Sequence, residues 1–161
     1  MSDVSVEDVE KIMNTARAMK EVSERDIKKI PPLRGKTIIN LFMEPSTRTR
    51  TSFEIAGKRL SADVVNISAS GSSVSKGESL KDMVNNLTAM KPDLIVLRSP
   101  FSGAPYIVSK WIGCPVVNAG DGRHEHPSQS LLDLFTILEA KESFNKLNIS
   151  IIGDILNSRV A

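Results

Sequence analysis

The sequence predicts an α/β fold, with a parallel sheet of about four strands flanked by helices. Short β-branched apolar runs alternate along the chain with segments whose apolar residues recur at helical spacing. One helix separates each pair of consecutive strands, and such a crossover is what joins neighbouring parallel strands. Hydrophobic residues make up 40% of the chain and aromatic residues only 4%, so the core between these layers is expected to be aliphatic.

The first two elements show both patterns. Apolar residues recur at helical spacing over Val6–Met19, and Ser5 is a candidate N-cap with Asp8 three residues later. The segment KKIPPLRGK then breaks the helical pattern, and Thr37–Phe42 is a β-rich run. The later elements are expected, in order, as a helix over SFEIAGKRL, a strand over Ala62–Ile67, a helix over LKDMVNNLTAM, a strand over Asp93–Ser99, a helix over GAPYIVSKWIG, a strand over PVVNAG, a helix over PSQSLLDLFTILEAK and a fifth strand over Asn148–Asp154.

Composition limits the classes of partner and compartment. The 161 residues include 21 Lys plus Arg and 19 Asp plus Glu, a net charge of +2 that gives no reason to expect nucleic acid or a membrane as partner. The single cysteine, Cys114, excludes an internal disulfide and a four-cysteine zinc site. No segment resembles a signal peptide, so we expect a cytoplasmic protein.

The segment EPSTRTR follows the first strand and opens a helix. A helix N-terminus offers free N–H groups and a positive dipole end, to which Ser46, Thr47 and Thr49 would add hydroxyl donors and Arg48 a guanidinium. This combination favours a site for a compact phosphate, although the Walker pattern is absent. The alternative is ordinary N-capping by Ser46 or Thr47, with the arginines on a solvated face.

Other polar segments also follow strands, and the carboxyl ends of parallel strands share one edge of the sheet. Lys76 lies in the serine-rich loop SGSSVSKG, which could also be a plain flexible loop. Arg98 ends an otherwise apolar strand, where a charge is costly unless it meets an anion, lies in a cleft or forms a surface salt bridge.

Both histidines, His124 and His126, lie in the loop GDGRHEHPSQ. Their spacing is not that of a helical zinc motif and no third ligand is evident, so a metal is disfavoured. A neutral His126 that donates to a carbonyl oxygen fits better, with Gln129 facing the same cleft. The alternative is a capping or core histidine.

Taken together and in this order, EPSTRTRTSFE, SVSKGESLKD, LRSP, NAGDGRHEHPSQSLLDLFT and IIGDILNSRVA resemble the catalytic chains of the aspartate carbamoyltransferase family. The resemblance runs from about Leu41 to the last residue. STRTR alone is shared with ornithine carbamoyltransferases, whereas the preceding Glu-Pro, SKGES and GDGxxxHPxQxLLDL favour the aspartate enzymes.

The resemblance implies a role for each matching position. Ser46, Thr47, Arg48 and Thr49 match the carbamoyl phosphate motif, and Arg98 the arginine that contacts both the phosphate and the carbonyl. His126 matches the histidine that hydrogen-bonds the carbonyl oxygen, and Gln129 matches the residue that recognises the carbamoyl amide. Ser72 and Lys76 match a serine and a lysine that contribute to the neighbouring subunit's site, and Arg159 matches an arginine that contacts aspartate. Thr49, Arg98 and His126 would be the catalytic donors to the oxygen that becomes negatively charged.

The resemblance also implies the reaction. A carbamoyl group would pass from carbamoyl phosphate to L-aspartate, releasing phosphate, in de novo pyrimidine biosynthesis. The family acts as a homotrimer without a metal or other cofactor. Regulatory chains or a dihydroorotase are further candidate partners. The alternatives are an ornithine carbamoyltransferase-type enzyme, a stand-alone phosphate-binding domain, or a structural piece that acts only through trimerisation.

Family members continue for roughly as many residues again, in a second domain that binds aspartate. We therefore expect residues 1–147 to form the carbamoyl phosphate-binding domain and residues 148–161 to be a stub of a truncated aspartate-binding domain. On this expectation the fragment alone lacks transferase activity.

Overall fold

The structure, a computed structural model, describes residues 4–68, 79–141 and 143–160. Its centre is a four-stranded parallel sheet. The elements in chain order are α1 (Val6–Glu24), β1 (Thr37–Phe42), α2 (Thr47–Arg59), β2 (Asp63–Ser68), α3 (Leu80–Ala89), β3 (Leu94–Ser99), α4 (Ala104–Trp111), β4 (Val116–Asp121), α5 (Pro127–Lys141) and a short 3₁₀ turn (Ile155–Asn157). The predicted α/β class and the sheet of about four strands are confirmed.

The strand order is β2-β1-β3-β4, so β1 is central and pairs with both β2 and β3. Alternate residues of β1 enter two different core layers, as the two-residue period of a strand requires. Ile39 and Leu41 pack with α3 and α4, while Ile38 and Phe42 pack on the opposite face with residues of α2 and β4. Phe42 is the one aromatic side chain among the buried hydrophobic residues that the structure describes.

Local sequence signals account for the helix starts. Ser5 and Asp8 form the expected capping box, in which the Ser5 hydroxyl accepts from the Asp8 N–H at 3.1 Å and the Asp8 carboxylate accepts from the Ser5 N–H at 3.2 Å. Helix α2 begins at Thr47, five positions before the segment whose apolar pattern predicted it. Its first turn is polar and carries no apolar signal, so the pattern alone placed the start too late.

The predicted fifth strand over Asn148–Asp154 is wrong. Residues 148–154 form no strand, and Ile149, Ile151 and Ile152 are exposed, Ile152 to 94%. An apolar β-branched run becomes a buried strand only beside a partner strand, and none of the four described strands lies beside this segment. No helix within residues 4–68, 79–141 and 143–160 has the length and apolar character needed to cross a membrane.

Helix α2 approaches the sheet closely at Gly57. A Cβ atom built on Gly57 would lie 2.6 Å from Val64 Cγ2 and 3.3 Å from Ile38 Cδ1. This contact holds α2 directly over β1 and β2, and therefore fixes where the N-terminus of α2 lies relative to the ends of these strands.

We expect Gly57→Ala to lower stability by about 1–3 kcal/mol, because overpacking at this contact outweighs the gain in helix propensity of about 1 kcal/mol. Thermal unfolding followed by circular dichroism should then show a melting temperature lower by about 2–10 °C. Combining it with Val64→Ala removes the nearest clashing methyl and should make the glycine substitution far less costly. A melting temperature raised by Gly57→Ala alone would contradict the close approach.

Candidate anion-binding site

Polar side chains from four parts of the chain meet at the carboxyl edge of the sheet. They surround a cleft of about 610 Å³ between the N-termini of α2 and α5, the end of β3 and the segment 157–160. The residues that line the cleft are Ser46, Arg48, Thr49, Ser52, Arg98, His126, Gln129, Leu132, Asn157, Ser158, Arg159 and Val160. Most segments that the sequence singled out therefore converge as the parallel topology requires.

The N-terminus of α2 is open to the cleft. Ser46 is the N-cap residue with an extended backbone (φ −157°), but its side chain makes no capping hydrogen bond. The Ser46 hydroxyl therefore does not cap α2, and the N–H groups at the positive end of the helix dipole can bind another acceptor. Arg48 and Thr49 line the cleft, while Thr47 lines a neighbouring cavity of about 140 Å³.

Arg98 is the most deeply buried cation of the site, with 6% of its surface exposed. Its Nη1 donates to the Ala119 carbonyl oxygen at 3.0 Å, and its Nη2 forms an ion pair with Glu44 Oε1 at 2.6 Å. Its Nε is buried and has no hydrogen-bond partner among the described residues. A buried donor without an acceptor is rare, so Arg98, a residue that lines the cleft, carries an unsatisfied hydrogen-bond donor.

Glu44 connects the two arginines of the cleft. The carboxylate atom that pairs with Arg98, Oε1, lies 3.4 Å from Arg159 Nη1. Sequence reasoning gave Glu44 no role. Its position directly after β1, at the same sheet edge as Arg98, was the signal that could have found it.

His126 is buried beside Arg98, with His126 Nε2 3.2 Å from Arg98 Nη1 and its Nδ1 3.3 Å from Ser128 Oγ. Burial lowers the pKa of the His126 imidazole, and the positive charges of Arg98 and Arg159 lower it further. The ring is therefore neutral at pH 7. Because a guanidinium only donates, Nε2 accepts from Arg98 in this arrangement and the ring proton is on Nδ1.

His124 does not share a site with His126. Its Nδ1 lies 3.0 Å from Oδ2 of Asp121, which is buried at the end of β4. Within residues 4–68, 79–141 and 143–160, no group of three or more His, Cys, Asp or Glu side chains is arranged to hold a metal ion.

Asp121 organises the loop that carries His126. Burial by itself raises the pKa of the Asp121 carboxyl, but hydrogen bonds from Asn118, Gly103, His124 and Glu125 outweigh burial and lower the pKa. The Gly103 N–H, at 2.6 Å, comes from the start of α4, and the Glu125 N–H, at 3.0 Å, from the loop itself. An ionised carboxylate thus ties the β4–α5 loop to the neighbouring helix.

The last described residues return to the cleft. The Arg159 carbonyl oxygen accepts from the His126 N–H at 3.2 Å, and the Arg159 side chain reaches Glu44. Gln129, in the first turn of α5, donates from Nε2 to Asp133 Oδ1 at 2.9 Å.

The structure brings seven of the ten predicted site residues to one cleft: Ser46, Arg48, Thr49, Arg98, His126, Gln129 and Arg159. Thr47 lies at the adjacent cavity instead. Ser72 and Lys76 lie in residues 69–78, outside the described residues. Besides Glu44, sequence reasoning missed Gly120, where an added Cβ would lie 2.9 Å from Arg98 Nη1.

The sequence profile described as aspartate/ornithine carbamoyltransferase, carbamoyl-P binding domain, matches residues 1–139. The aspartate carbamoyltransferase catalytic subunits of Trichlorobacter lovleyi and Syntrophus aciditrophicus are each 60% identical over 161 residues, all of this chain and 52% of each relative. The chain thus spans about half the length of these relatives.

Solved structures give the same picture. Aspartate transcarbamoylase from Trypanosoma cruzi, in complex with aspartate and phosphate, has a TM-score of 0.91 and 34% identity over 99% of this chain and 48% of its own. The catalytic subunit of M. Jannaschii aspartate transcarbamoylase has a TM-score of 0.77 and 43% identity over 87% of this chain and 45% of its own. The chain belongs to the aspartate/ornithine carbamoyltransferase family, to which it is matched through the carbamoyl-P binding domain.

Proposed function

We propose that the chain binds carbamoyl phosphate in this cleft and supplies the carbamoyl phosphate half of an aspartate carbamoyltransferase. The observation that carries the proposal is the buried Arg98, whose guanidinium-bearing side chain lines the same cleft as the open N-terminus of α2. A doubly charged phosphate satisfies both features at once, because it accepts from N–H groups and from a guanidinium.

The chemistry follows from the donors of the cleft. The amine of L-aspartate attacks the carbonyl carbon, and negative charge develops on the carbonyl oxygen, where Thr49, Arg98 and His126 donate. For His126 to donate from Nε2, the proton must move from Nδ1 to Nε2 and the contact with Arg98 Nη1 must open. Arg48 and the N-terminus of α2 stabilise the departing phosphate, and no side chain needs to act as a nucleophile.

The second substrate is proposed from the relatives. The relatives from Trichlorobacter lovleyi and Syntrophus aciditrophicus are named as aspartate carbamoyltransferase catalytic subunits, and the Trypanosoma cruzi complex contains aspartate and phosphate. Holding two substrates together supplies much of the rate in such a reaction. Arg159, which lines the cleft beside Arg98, is the residue of this chain proposed to face aspartate.

The assembly and domain limits are also proposals. We infer a homotrimer in which Ser72 and Lys76 of one subunit complete the cleft of the next. Residues 1–147 form the carbamoyl phosphate-binding domain, and the segment from residue 148 onwards is the start of the aspartate-binding domain. The end of α5 at Lys141 and the exposed apolar residues Ile149, Ile151 and Ile152 beyond it support this boundary.

Isothermal titration with phosphate and with fresh carbamoyl phosphate tests the proposal. Arg48→Ala should weaken both ligands about tenfold or more, the effect of one lost hydrogen bond to a charged group. Lys11→Ala is the matched control, because it removes the same charge from an exposed position on α1, away from the cleft, and should leave affinity within about twofold. Equal affinities for the two variants would overturn the assignment of this cleft.

A further inference from the structure

The amide of Gln129 has a partner that sets its orientation. Gln129 and Asp133 lie one turn apart on α5, and Nε2 of Gln129 donates to Oδ1 of Asp133 at 2.9 Å. Residues four apart on a helix are neighbours on its surface, so this bond needs no other element to form. Gln129 lines the cleft, whereas Asp133 is exposed and is not among the cleft-lining residues.

The chemistry of the partner decides which amide atom remains available. An ionised carboxylate only accepts, so the NH₂ group of Gln129 must face Asp133 and the carbonyl oxygen Oε1 is left for the cleft. Without a partner that can only accept, the amide could rotate by 180° and present its NH₂ group to the cleft instead.

The cleft is rich in cationic donors, and besides Gln129 the side chains that can accept there are hydroxyls, the Asn157 amide and the neutral His126 ring. Arg48, Arg98 and Arg159 carry donors only, and no carboxylate is among the described residues that line it. The arginines suit the phosphate and carbonyl oxygens of a ligand, and none of them can receive an N–H group. The Gln129 oxygen is suited to an N–H donor carried by the same ligand.

We propose that Asp133 is a positioning residue that fixes Gln129 with its oxygen toward the cleft and so selects a carbamoyl group over an acyl group. The two groups have nearly the same shape, and they differ in an NH₂ in place of a CH₃. This inference rests on the proposed function, and it assigns discrimination to a residue that does not touch the ligand.

A pair of stable phosphonates isolates this difference. Phosphonoacetamide carries the NH₂ group, 2-oxopropylphosphonate carries a methyl group in its place, and both have the same charge. The ratio of their dissociation constants therefore cancels general electrostatic effects, while inorganic phosphate reports on the anion site alone. Titration calorimetry with the full chain gives all three constants.

We expect the chain to bind phosphonoacetamide about tenfold more tightly than the ketone, the effect of one hydrogen bond. Asp133→Lys replaces the acceptor beside Gln129 with a donor, which favours the turned amide, and should lower this ratio by about twofold to fivefold, because a single pair one turn apart on an exposed helix face is weak. Asp133→Glu keeps an acceptor and should retain the ratio. Glu139→Lys makes the same charge reversal further along α5; it breaks the ion pair of Glu139 with Lys20 of α1, which can lower stability, but it should retain the tenfold ratio.

The outcomes separate the inference from the function on which it rests. If neither phosphonate binds, the proposed function itself fails. If both bind but the chain shows no preference, or if Asp133→Lys keeps the tenfold ratio, the positioning role is overturned while carbamoyl phosphate binding stands. A merely structural role of Asp133 would weaken phosphate and both phosphonates alike and leave their ratio unchanged, which also overturns it.

Discussion

Replacing Arg98 with methionine should weaken phosphate binding by about a hundredfold. Arg98 lines the cleft with the α2 N-terminus, and a phosphate there would accept from its Nη groups in competition with Ala119 and Glu44. Each hydrogen bond to a charged group contributes about 1.5–3 kcal/mol. Methionine fills similar space without a charge. The loss of two such bonds corresponds to at least about a hundredfold in affinity.

The control variants separate the loss of the Arg98 donors from the effect of the Glu44 carboxylate that is left unpaired. Arg98→Met leaves the Glu44 carboxylate without the ion pair that it makes at 2.6 Å, and that negative charge then opposes an anion. Adding Glu44→Gln should recover part of the affinity, whereas Arg98→Lys should bind weakly because it lacks the fork. Arg17→Met, at an exposed site on α1, is the charge control. Titration calorimetry measures all four, and unchanged affinity in Arg98→Met would contradict the assignment.

Gly120→Ala is expected to have a comparable effect on binding, for a steric reason. Gly120 has φ +112°, a conformation that residues with a side chain rarely adopt, and a Cβ there would lie 2.9 Å from Arg98 Nη1. The same atom would lie 3.2 Å from His126 Cδ2 and 3.4 Å from Arg159 Nη1. A single methyl group therefore displaces Arg98 and crowds His126, while Arg159 stays at the edge of ordinary contact, and even a small misplacement of such groups is costly.

Gly153→Ala is a sharp control for that prediction. Gly153 also has a positive φ, +140°, but a Cβ there would meet nothing within 4 Å. Both alanines strain the backbone, and only the one at Gly120 disturbs the cleft. We expect phosphate binding to fall by about tenfold to a hundredfold in Gly120→Ala and to stay within about twofold in Gly153→Ala. Equal binding by the two variants in the same titration would show that the contacts of Gly120 do not matter.

Much of the fold was predictable because each element carries its own signal. Apolar period and turn residues predicted the order of helices and strands, and the parallel connection then placed Arg98, His126 and Gln129 at one edge. The strand over Asn148–Asp154 was predicted wrongly because local sequence signals do not show whether a partner strand is present. Its residues are suited to a buried strand, but a strand also needs a neighbour, and that is not a property of the segment.

The interior of the cleft was harder to predict. Sequence reasoning gave Glu44 no role in the site because a carboxylate is not expected to bind an anion. Its ion pairs with Arg98 and Arg159 give it a role. The contacts of Gly120 depend on backbone angles that no periodicity reports. The resemblance to a family predicted which positions face a ligand, whereas the side chains that contact those positions emerged from the geometry.

The central place of β1 has a consequence for how the chain is made. Residue 40 of β1 pairs with residue 66 on one side and with residue 96 on the other, so one edge of this almost fully buried strand has no partner until β3 has been synthesised. At about 5–20 residues per second, the interval between residues 40 and 96 takes about 3–11 s on the ribosome. During that time an apolar strand with an open edge is a template for pairing with other nascent chains. The yield of folded protein should therefore depend on translation speed and chaperone supply more than its modest size suggests.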